Sequence, residues 1–336
     1  MSKGNNHQGR QNSISICSKC EKKAVIELQH GLYCGTHFIS YFENKVFRTI
    51  QKFKLIDRND KICVATSGGK DSLTVLYLVK KYLERQNINS ASITALAIDE
   101  GIADYRDKTL LDLKKFCDDH DVELTIANFK DKEHLGATLD IAYPKINKVT
   151  GKKPCNVCGV WRRYLLNKYA KKLNATKLVT GHNLDDEAQA IMMNICKANT
   201  KLAAKLGPMS GISDQAGFVR RIKPLYLCSE KETRLYTFLK KWKVEYTECP
   251  NVVQSYRAEI RDSLNSLESK YKGTKHGIVK SFLDMMPLLR ERELANISKG
   301  KTNGSPKKCI TCSEPSNLME CNACKLKAIF EDQKNE

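Results

Sequence analysis

From Lys61 onward, short apolar runs alternate with longer segments in which apolar residues return every three or four positions. KICVAT precedes LTVLYLVKKYL and SITALAID precedes LLDLKKFCDDH; VELTIAN, RYLLNKYAKKL, KLVTGH and DEAQAIMMNIC follow. Apolar runs this short suit strands buried on both faces, and the longer period suits amphipathic helices packed over them. The alternation predicts an α/β body with a doubly wound parallel sheet, ending near Cys249. Ahead of it a helix is expected over about Ile39 to Phe53, preceded by a small module around the alternating segment AVIEL. Residues 255 to 297 read as helical and basic, and SKGKTNGSPKK, Ser298 to Lys308, reads as a polar linker. Four regions result: 14–40, 41–254, 255–300 and 305–330.

No run of about eighteen apolar residues occurs, and the polar start MSKGNNHQGRQNS lacks the apolar core of a signal peptide. A soluble cytoplasmic protein with no membrane partner is expected. Lys and Arg number 57 against 38 Asp and Glu, a formal charge of +19, which points to a polyanionic partner, nucleic acid first. A lysine-rich solvated surface would give the same count. The 14 cysteines do not suit a disulfide framework in a reducing compartment, so metal is the better explanation.

The stretch VATSGGKDSLTVLYLV, Val64 to Val79, sets a glycine turn between a strand pattern and a helix pattern. Backbone N–H groups and the positive end of the helix then converge on one point, which suits phosphate. Gly68 and Gly69 let the anion approach, while Lys70 and the Ser67 and Ser72 hydroxyls add donors. The spacing lacks the gap of the Walker A pattern. A ligand-free capping turn is the bland alternative. Asp71 would repel phosphate unless Mg2+ lay between them, so a nucleotide with its metal is expected.

SGGKDS after an apolar strand resembles the PP-loop of the ATP pyrophosphatases, which split ATP to AMP and pyrophosphate by adenylating an acceptor. The likeness extends through AIDEGI, Ala97 to Ile102, and VTGHNLDDEA, Val179 to Ala188. It implies that Ala65, Thr66, Ser67, Gly68, Gly69, Lys70, Asp71 and Ser72 cradle ATP, that Ile98 flanks the adenine, and that Gly181 and Asp186 close the site. Asp185 and Glu187 read equally well as first-turn acids of a helix.

KKPCNVCGVWRR, Lys152 to Arg163, carries Cys155 and Cys158 at CxxC spacing, in a loop expected to open onto a basic helix. Such a pair serves redox chemistry, half a zinc site or part of an iron–sulfur site. Cys249, in YTECPN, is expected at a strand end on the rim of the glycine turn; Cys228, in an apolar run, is the alternative third thiol. Three thiolates leave one iron of a cubane open, and an open iron can hold sulfur. At the N-terminus Cys17, Cys20, Cys34 and His37 form a closed structural zinc set; at the C-terminus Cys309, Cys312, Cys321 and Cys324, two CxxC knuckles eight residues apart, form another. These modules grip RNA, stabilise the termini, or do both at once.

The PCxxCG segment, the later ECP, the flanking cysteine modules and the glycine turn together resemble the TtuA/NcsA family of tRNA 2-thiolation enzymes, relatives of the cytosolic wobble-uridine thiolation proteins. The resemblance covers about Cys17 to Cys324. It implies a PP-loop ATP pyrophosphatase domain flanked by zinc-binding modules, a 4Fe-4S cluster on Cys155, Cys158 and Cys249, and a catalytic set of those thiols with Asp71 and Asp186. Arg162 stands where some members place a lysine near ATP. The implied reaction adenylates uridine O2 and then replaces it with sulfur from sulfide, a persulfide or a ubiquitin-like carrier thiocarboxylate. The expected cofactors are ATP, Mg2+, one 4Fe-4S cluster and two Zn2+; the expected partners are tRNA and a second copy in a homodimer. Arg162, Arg163, Arg220, Arg221, Lys223, Arg257 and Arg261 are candidate tRNA phosphate contacts.

EGIADYRDKTL and CGVWRR resemble enzymes of wobble position 34, whereas YCGTHF and GTKHGIVKSF resemble those of position 54; position 34 is preferred. From a different class, a non-catalytic zinc-dependent RNA-binding protein would not release AMP with tRNA. A PP-loop amidotransferase or tRNA lysidine synthetase would lack the knuckles and the third cysteine.

Overall fold

The computed structural model describes residues 15–28, 30–88, 93–212, 217–244, 249–251, 256–299 and 306–333. The chain divides into two compact units, residues 1–44 and 45–336. The first holds an antiparallel hairpin of β1 (Ile26–Leu28) and β2 (Gly31–Tyr33), followed by α1 (Gly35–Lys52), which continues into the second. The helix begins four residues before the expected Ile39, so His37 falls in its first turn, where Phe38 N–H donates to the Cys34 carbonyl at 2.8 Å.

The second unit is built on a five-stranded parallel sheet. In chain order it contains β3 (Ile62–Ala65), α2 (Lys70–Arg85), β4 (Ile93–Asp99), α3 (Arg106–Asp119), β5 (Glu123–Asn128), α4 (Leu139–Thr150), α5 (Pro154–Lys172), β6 (Lys177–Val179), α6 (Leu184–Cys196), α7 (Thr200–Ala203), β7 (Arg220–Ile222) and α8 (Glu230–Leu239). The sheet order is β5-β4-β3-β6-β7, every pair parallel. Ile62, Cys63 and Val64 are buried along the central strand, as a run apolar on both faces requires. α2 is buried along Leu73, Val75, Leu76, Leu78, Val79 and Leu83.

The basic segment after 255 is helical, as two helices, α9 (Tyr256–Lys270) and α10 (Thr274–Ser298). At the break the Glu268 carboxylate accepts from the Gly273 and Lys275 N–H groups, both at 2.8 Å, and so caps the second helix. The Ser298–Lys308 linker lies partly outside the described residues. Beyond it β8 (Lys307–Lys308) and β9 (Pro315–Ser316) pair antiparallel and lead into α11 (Asn322–Asp332). This C-terminal module is not loosely appended: Cys309, Cys324, Leu326 and Phe330 share one apolar cluster with Trp161 and Leu165 of α5.

The CxxC segment also departs from expectation. Pro154 opens α5, and Cys155 and Cys158 lie within its first turns instead of in a loop. Proline at the first helical position gives up an N–H that has no partner there in any case, and the i, i+3 spacing turns both sulfurs toward one side. The strand expected before Cys249 falls largely on residues 245–248, outside the described ones. No described helix is long and apolar enough to cross a membrane.

Candidate functional site

The sheet reverses its order at β3, whose neighbours are β4 on one side and β6 on the other. Loops leaving β3 and β6 therefore diverge, and a crevice opens at the carboxyl ends of these strands. The SGGKDS turn fills one wall. Gly68 has φ +83°, and a Cβ there would lie 2.6 Å from the Thr109 carbonyl oxygen, so only glycine makes this turn. Opposite, Gly181 follows β6; a Cβ on it would meet the Asp71 carbonyl carbon at 2.9 Å, so its bareness sets the distance between the two walls.

Inside the turn the Ser72 hydroxyl donates to the Gly69 carbonyl at 2.9 Å and accepts from the Ser67 N–H at 3.1 Å. The cavity above it measures about 580 Å3 and is lined by Ala65, Thr66, Ser67, Asp71, Ser72, Ile98, Arg162, Gly181 and Asp186 among others. Leu96, Ile98 and Leu166 supply an apolar wall suited to a planar base, and the turn supplies the anion end. Thr66 Oγ1 is buried on this cavity without a hydrogen-bond partner among the described residues, a donor left for a ligand. Gly68, Gly69 and Lys70 do not line it. The Lys70 ammonium is drawn aside by Asp71 and Glu230, each at 2.9 Å. Burial pushes the Asp71 carboxyl up against the pull of Lys70, and Asp186 nearby pushes it further.

Sequence reading missed a carboxylate that organises the far wall. Glu100, buried after β4, pairs through Oε2 with Arg106 Nε at 3.1 Å and through Oε1 with Arg162 Nη2 at 2.8 Å. Arg106 donates to the Ser67 carbonyl at 2.8 Å, and Arg162 donates to Cys158 Sγ at 3.2 Å. A continuous line of contacts thus joins the phosphate turn to the CxxC pair. Burial opposes the Arg162 charge, but Glu100 and the Cys158 sulfur more than compensate and hold it protonated. Burial pushes the Cys158 thiol up to about 11, with Arg162 pulling the other way. Glu100 belongs to AIDEGI, and its signal was the second of two adjacent acids at an apolar strand end.

Cys155 is exposed and its sulfur lies 3.4 Å from the Asn251 carbonyl, two residues beyond Cys249. Cys249 packs against the apolar cluster containing Cys158, and the Cys158 thiol is sensitive to charge on both other sulfurs. Cys249 thus shares an apolar cluster with Cys158, and Cys155 stands one helical turn before Cys158. Cys228 is fully enclosed elsewhere, its thiol pushed up by burial. Four thiolates around a single Zn2+ form a tetrahedron with edges of about 3.8 Å. Among the described residues such spacing occurs in the two terminal sets alone. Cys20 and Cys34 are 3.7 Å apart, Cys312 and Cys321 3.8 Å, and Cys309 and Cys324 3.9 Å. His37 turns Nδ1 toward Cys17 and Cys34 at 3.4 Å each.

Asp186 caps α6 with Asn183 and pairs with Arg257 at 2.7 Å. Asn183 Nδ2 also donates to Asp71 Oδ1 at 3.3 Å while the Asn183 backbone N–H donates to Asp186 Oδ2 at 3.2 Å, so one residue links the two carboxylates. Asp185 and Glu187 turn away: Asp185 pairs with buried Lys275, and Glu187 with buried Lys223 at 2.6 Å. Arg261 pairs with Asp262 at 3.0 Å. His182, also missed, lines the cavity; burial depresses it to about 4, with Asp186 opposing and Lys223, Arg257 and Arg221 adding to the fall, so the ring is neutral. Its signal was a histidine inside the segment that supplies Gly181 and Asp186.

Residues 41–268 match the PP-loop domain family. The chain is 34% identical over 316 residues to the tRNA-5-methyluridine(54) 2-sulfurtransferase of Pyrococcus horikoshii, covering 92% of this chain and 93% of that one. It is 34% identical over 294 residues to cytoplasmic tRNA 2-thiolation protein 1 of Caenorhabditis briggsae, covering 87% and 74%. Among solved structures it is similar to the U34-tRNA thiolase NcsA of Methanococcus maripaludis with its 4Fe-4S cluster, with a TM-score of 0.75, 31% identity, and 96% and 97% of the two chains covered.

Proposed function

This chain belongs to the PP-loop family of tRNA 2-thiolation proteins, and we propose that it converts wobble uridine 34 of tRNA to 2-thiouridine at the expense of ATP. The observation that carries the reading is one chain of contacts, Ser67–Arg106–Glu100–Arg162–Cys158, that runs from the turn lining a nucleotide-sized cavity to a thiol of the CxxC pair. The 31% identity to a U34 thiolase across nearly its whole length supports position 34; the 34% identity to a position-54 enzyme keeps that site as the second reading.

The C2 oxygen of uridine is a poor leaving group, so it must first become a phosphate ester. The glycine turn and the start of α2 receive the phosphates, and Leu96 and Ile98 flank the adenine. Asp71 and Asp186, on facing walls, are the groups that would hold Mg2+ against the phosphates. Uridine O2 attacks the α-phosphorus and pyrophosphate leaves; Arg162, fixed by Glu100, faces the charge that gathers on the phosphoryl oxygens. A sulfur nucleophile then adds at C2, and AMP departs with the former oxygen. Cys155, Cys158 and Cys249 would hold the 4Fe-4S cluster, whose iron without a protein ligand supplies a docking point for sulfide. Neutral His182 and the apolar wall limit water around the activated ester. The donor is sulfide, a persulfide or a carrier thiocarboxylate; the terminal sets hold one Zn2+ each; the working form is a cytoplasmic homodimer.

The test is mass spectrometry of tRNA from a strain lacking the gene, together with AMP release by the anaerobically reconstituted protein. Thiouridine should vanish from position 34 and AMP should form only with tRNA. Loss confined to position 54 would replace the wobble reading. Absence of tRNA-dependent AMP would leave a non-catalytic RNA-binding protein. A Cys249→Ala variant should lose the brown iron–sulfur absorbance and thiolation, and retention of both would remove Cys249 from the cluster.

A further inference from the structure

A second cavity of about 500 Å3 lies behind the nucleotide cavity, and Arg163 and Arg221 line both. Its other walls come from α5, from β7 and the segment leading to it, and from the C-terminal metal module, including Asn322 and Ala323 at the start of α11. Its charge is one-sided. Arg163, Lys205, Arg220 and Arg221 line it, and none of its described lining residues is an acid. Elsewhere the fold neutralises its cations, as with Lys223 on Glu187 and Arg257 on Asp186. Arg163, Arg221 and Lys205, by contrast, have no carboxylate partner among the described residues. Burial and then the neighbouring Arg163 both disfavour the Arg221 charge, which stays positive and would gain from an anion beside it. Beside these cations the ring of Phe218 lines the cavity and is 42% exposed.

Cations with no acid and one bare aromatic face are the makings of a site for single-stranded nucleic acid, where phosphates meet the charges and a base stacks on the ring. We propose that this second cavity seats the RNA strand next to the target uridine: a phosphodiester lies against Arg221 and Lys205, the neighbouring base stacks on Phe218, and the uracil passes Arg163 into the nucleotide cavity. The inference rests on the thiolation reading and adds where the strand enters. It also gives the C-terminal metal module a role beyond stability, as the outer wall of the RNA channel. The uracil must reach the α-phosphate, so the backbone bearing it must leave the nucleotide cavity through a neighbouring opening of matching charge. The wall shared at Arg163 and Arg221 provides one.

The probe is an unmodified anticodon stem-loop RNA, titrated against the holoprotein at several salt concentrations, with ATP binding measured in parallel. Lys205→Gln should lower the slope of log Kd against log salt by about 0.7–0.9, the loss of one phosphate contact. Phe218→Ala should weaken RNA binding at least about fivefold with little change in slope, since stacking is uncharged. Both variants should bind ATP as the wild type does. If the wild type binds the RNA and both variants keep its affinity and slope, the strand lies elsewhere and this inference falls while the thiolation reading stands. If ATP affinity falls and RNA affinity does not, the cavity belongs to the nucleotide and the inference is overturned. If the wild type does not bind RNA at all, the thiolation reading fails and takes this inference with it.

Discussion

Glu100 Oε1 lies 2.8 Å from Arg162 Nη2, and the other oxygen of the same buried carboxylate is taken by Arg106. One acid thereby sets both the guanidinium that braces the phosphate turn and the guanidinium that touches Cys158. Two positive charges converge on this acid, so its loss would leave both uncompensated. Glu100 acts as a positioning residue between two halves of the reaction.

Glu100→Gln keeps the shape and removes the charge. Breaking one partner of a buried ion pair costs about 3–5 kcal/mol, so the melting temperature should fall by roughly 5–10 °C. The surviving folded enzyme should form AMP about ten- to a hundredfold more slowly at saturating ATP, with the KM for ATP changed less than kcat, because the amide still fills the site while Arg162 loses its anchor. Differential scanning calorimetry and single-turnover AMP formation read the two effects. A purely structural role would lower stability and leave kcat of the folded fraction intact, and that outcome would sink the positioning argument.

The parts of this site that could be read along the chain are those made by consecutive residues. SGGKDS, GHNLDD and PCNVC are strand-to-helix junctions, and a junction in an α/β sheet ends on the crevice side because every strand is parallel. The links between junctions could not be read. Nothing local tells Glu100 that Arg162, from a helix far along the chain, will meet it, or that Lys70 will turn to Glu230 and leave the phosphate turn to its amides. The cations show the same division. Arg220, Arg221, Lys223, Arg257 and Arg261 look alike in sequence, and only the fold assigns Lys223 to Glu187 and Arg257 to Asp186. Helix boundaries near the cysteines shifted because these cysteines sit where proline and first-turn geometry favour helix, as Pro154 does ahead of Cys155.

His182 gives a pH dependence with a definite sign. Its folded value near 4 lies below the ordinary value of 6.5. Between those limits the unfolded chain takes up a proton that the folded chain refuses, so stability is full above about pH 6.5 and falls as pH drops toward 4. His182→Gln should flatten that decline. Urea unfolding at pH 7.5 and pH 5 should show the gap between wild type and variant changing by about 1 kcal/mol, below the limit of about 2 that the shift alone would give because the ring is partly open to solvent, the variant losing less on acidification. Comparing the two proteins at each pH cancels the titration of the cysteine sets, which both share. Equal losses would mean that the ring is protonated in the folded state, paired with Asp186 despite the surrounding cations.

The C-terminal cysteine set is part of the core of the second unit, and metal removal there should act on the whole unit. Cys309 and Cys324 share an apolar cluster with Trp161, Leu165 and Cys158 along α5. The Cys321 N–H donates to Cys309 Sγ at 3.2 Å; burial pushes that thiol up, but this and the other backbone N–H donors outweigh it and bring it down to about 6, a thiolate ready for a cation. Lys171 on α5 pairs with Glu314 at 2.9 Å, and the Asn167 amide reaches the same carboxylate, so the module and the CxxC helix move together. Cys312→Ser, which removes one thiol of the set at a partly exposed position, should lower the main unfolding transition by about 5 °C or more, release any metal held there to a colorimetric chelator at rest, and reduce RNA binding as the outer wall of the second cavity loosens. Cys196→Ser, at an exposed cysteine outside every metal set, is the control and should match the wild type in all three. A Cys312→Ser protein that keeps its melting temperature and its RNA affinity would detach the module from the core and leave the knuckle as a separate appendage.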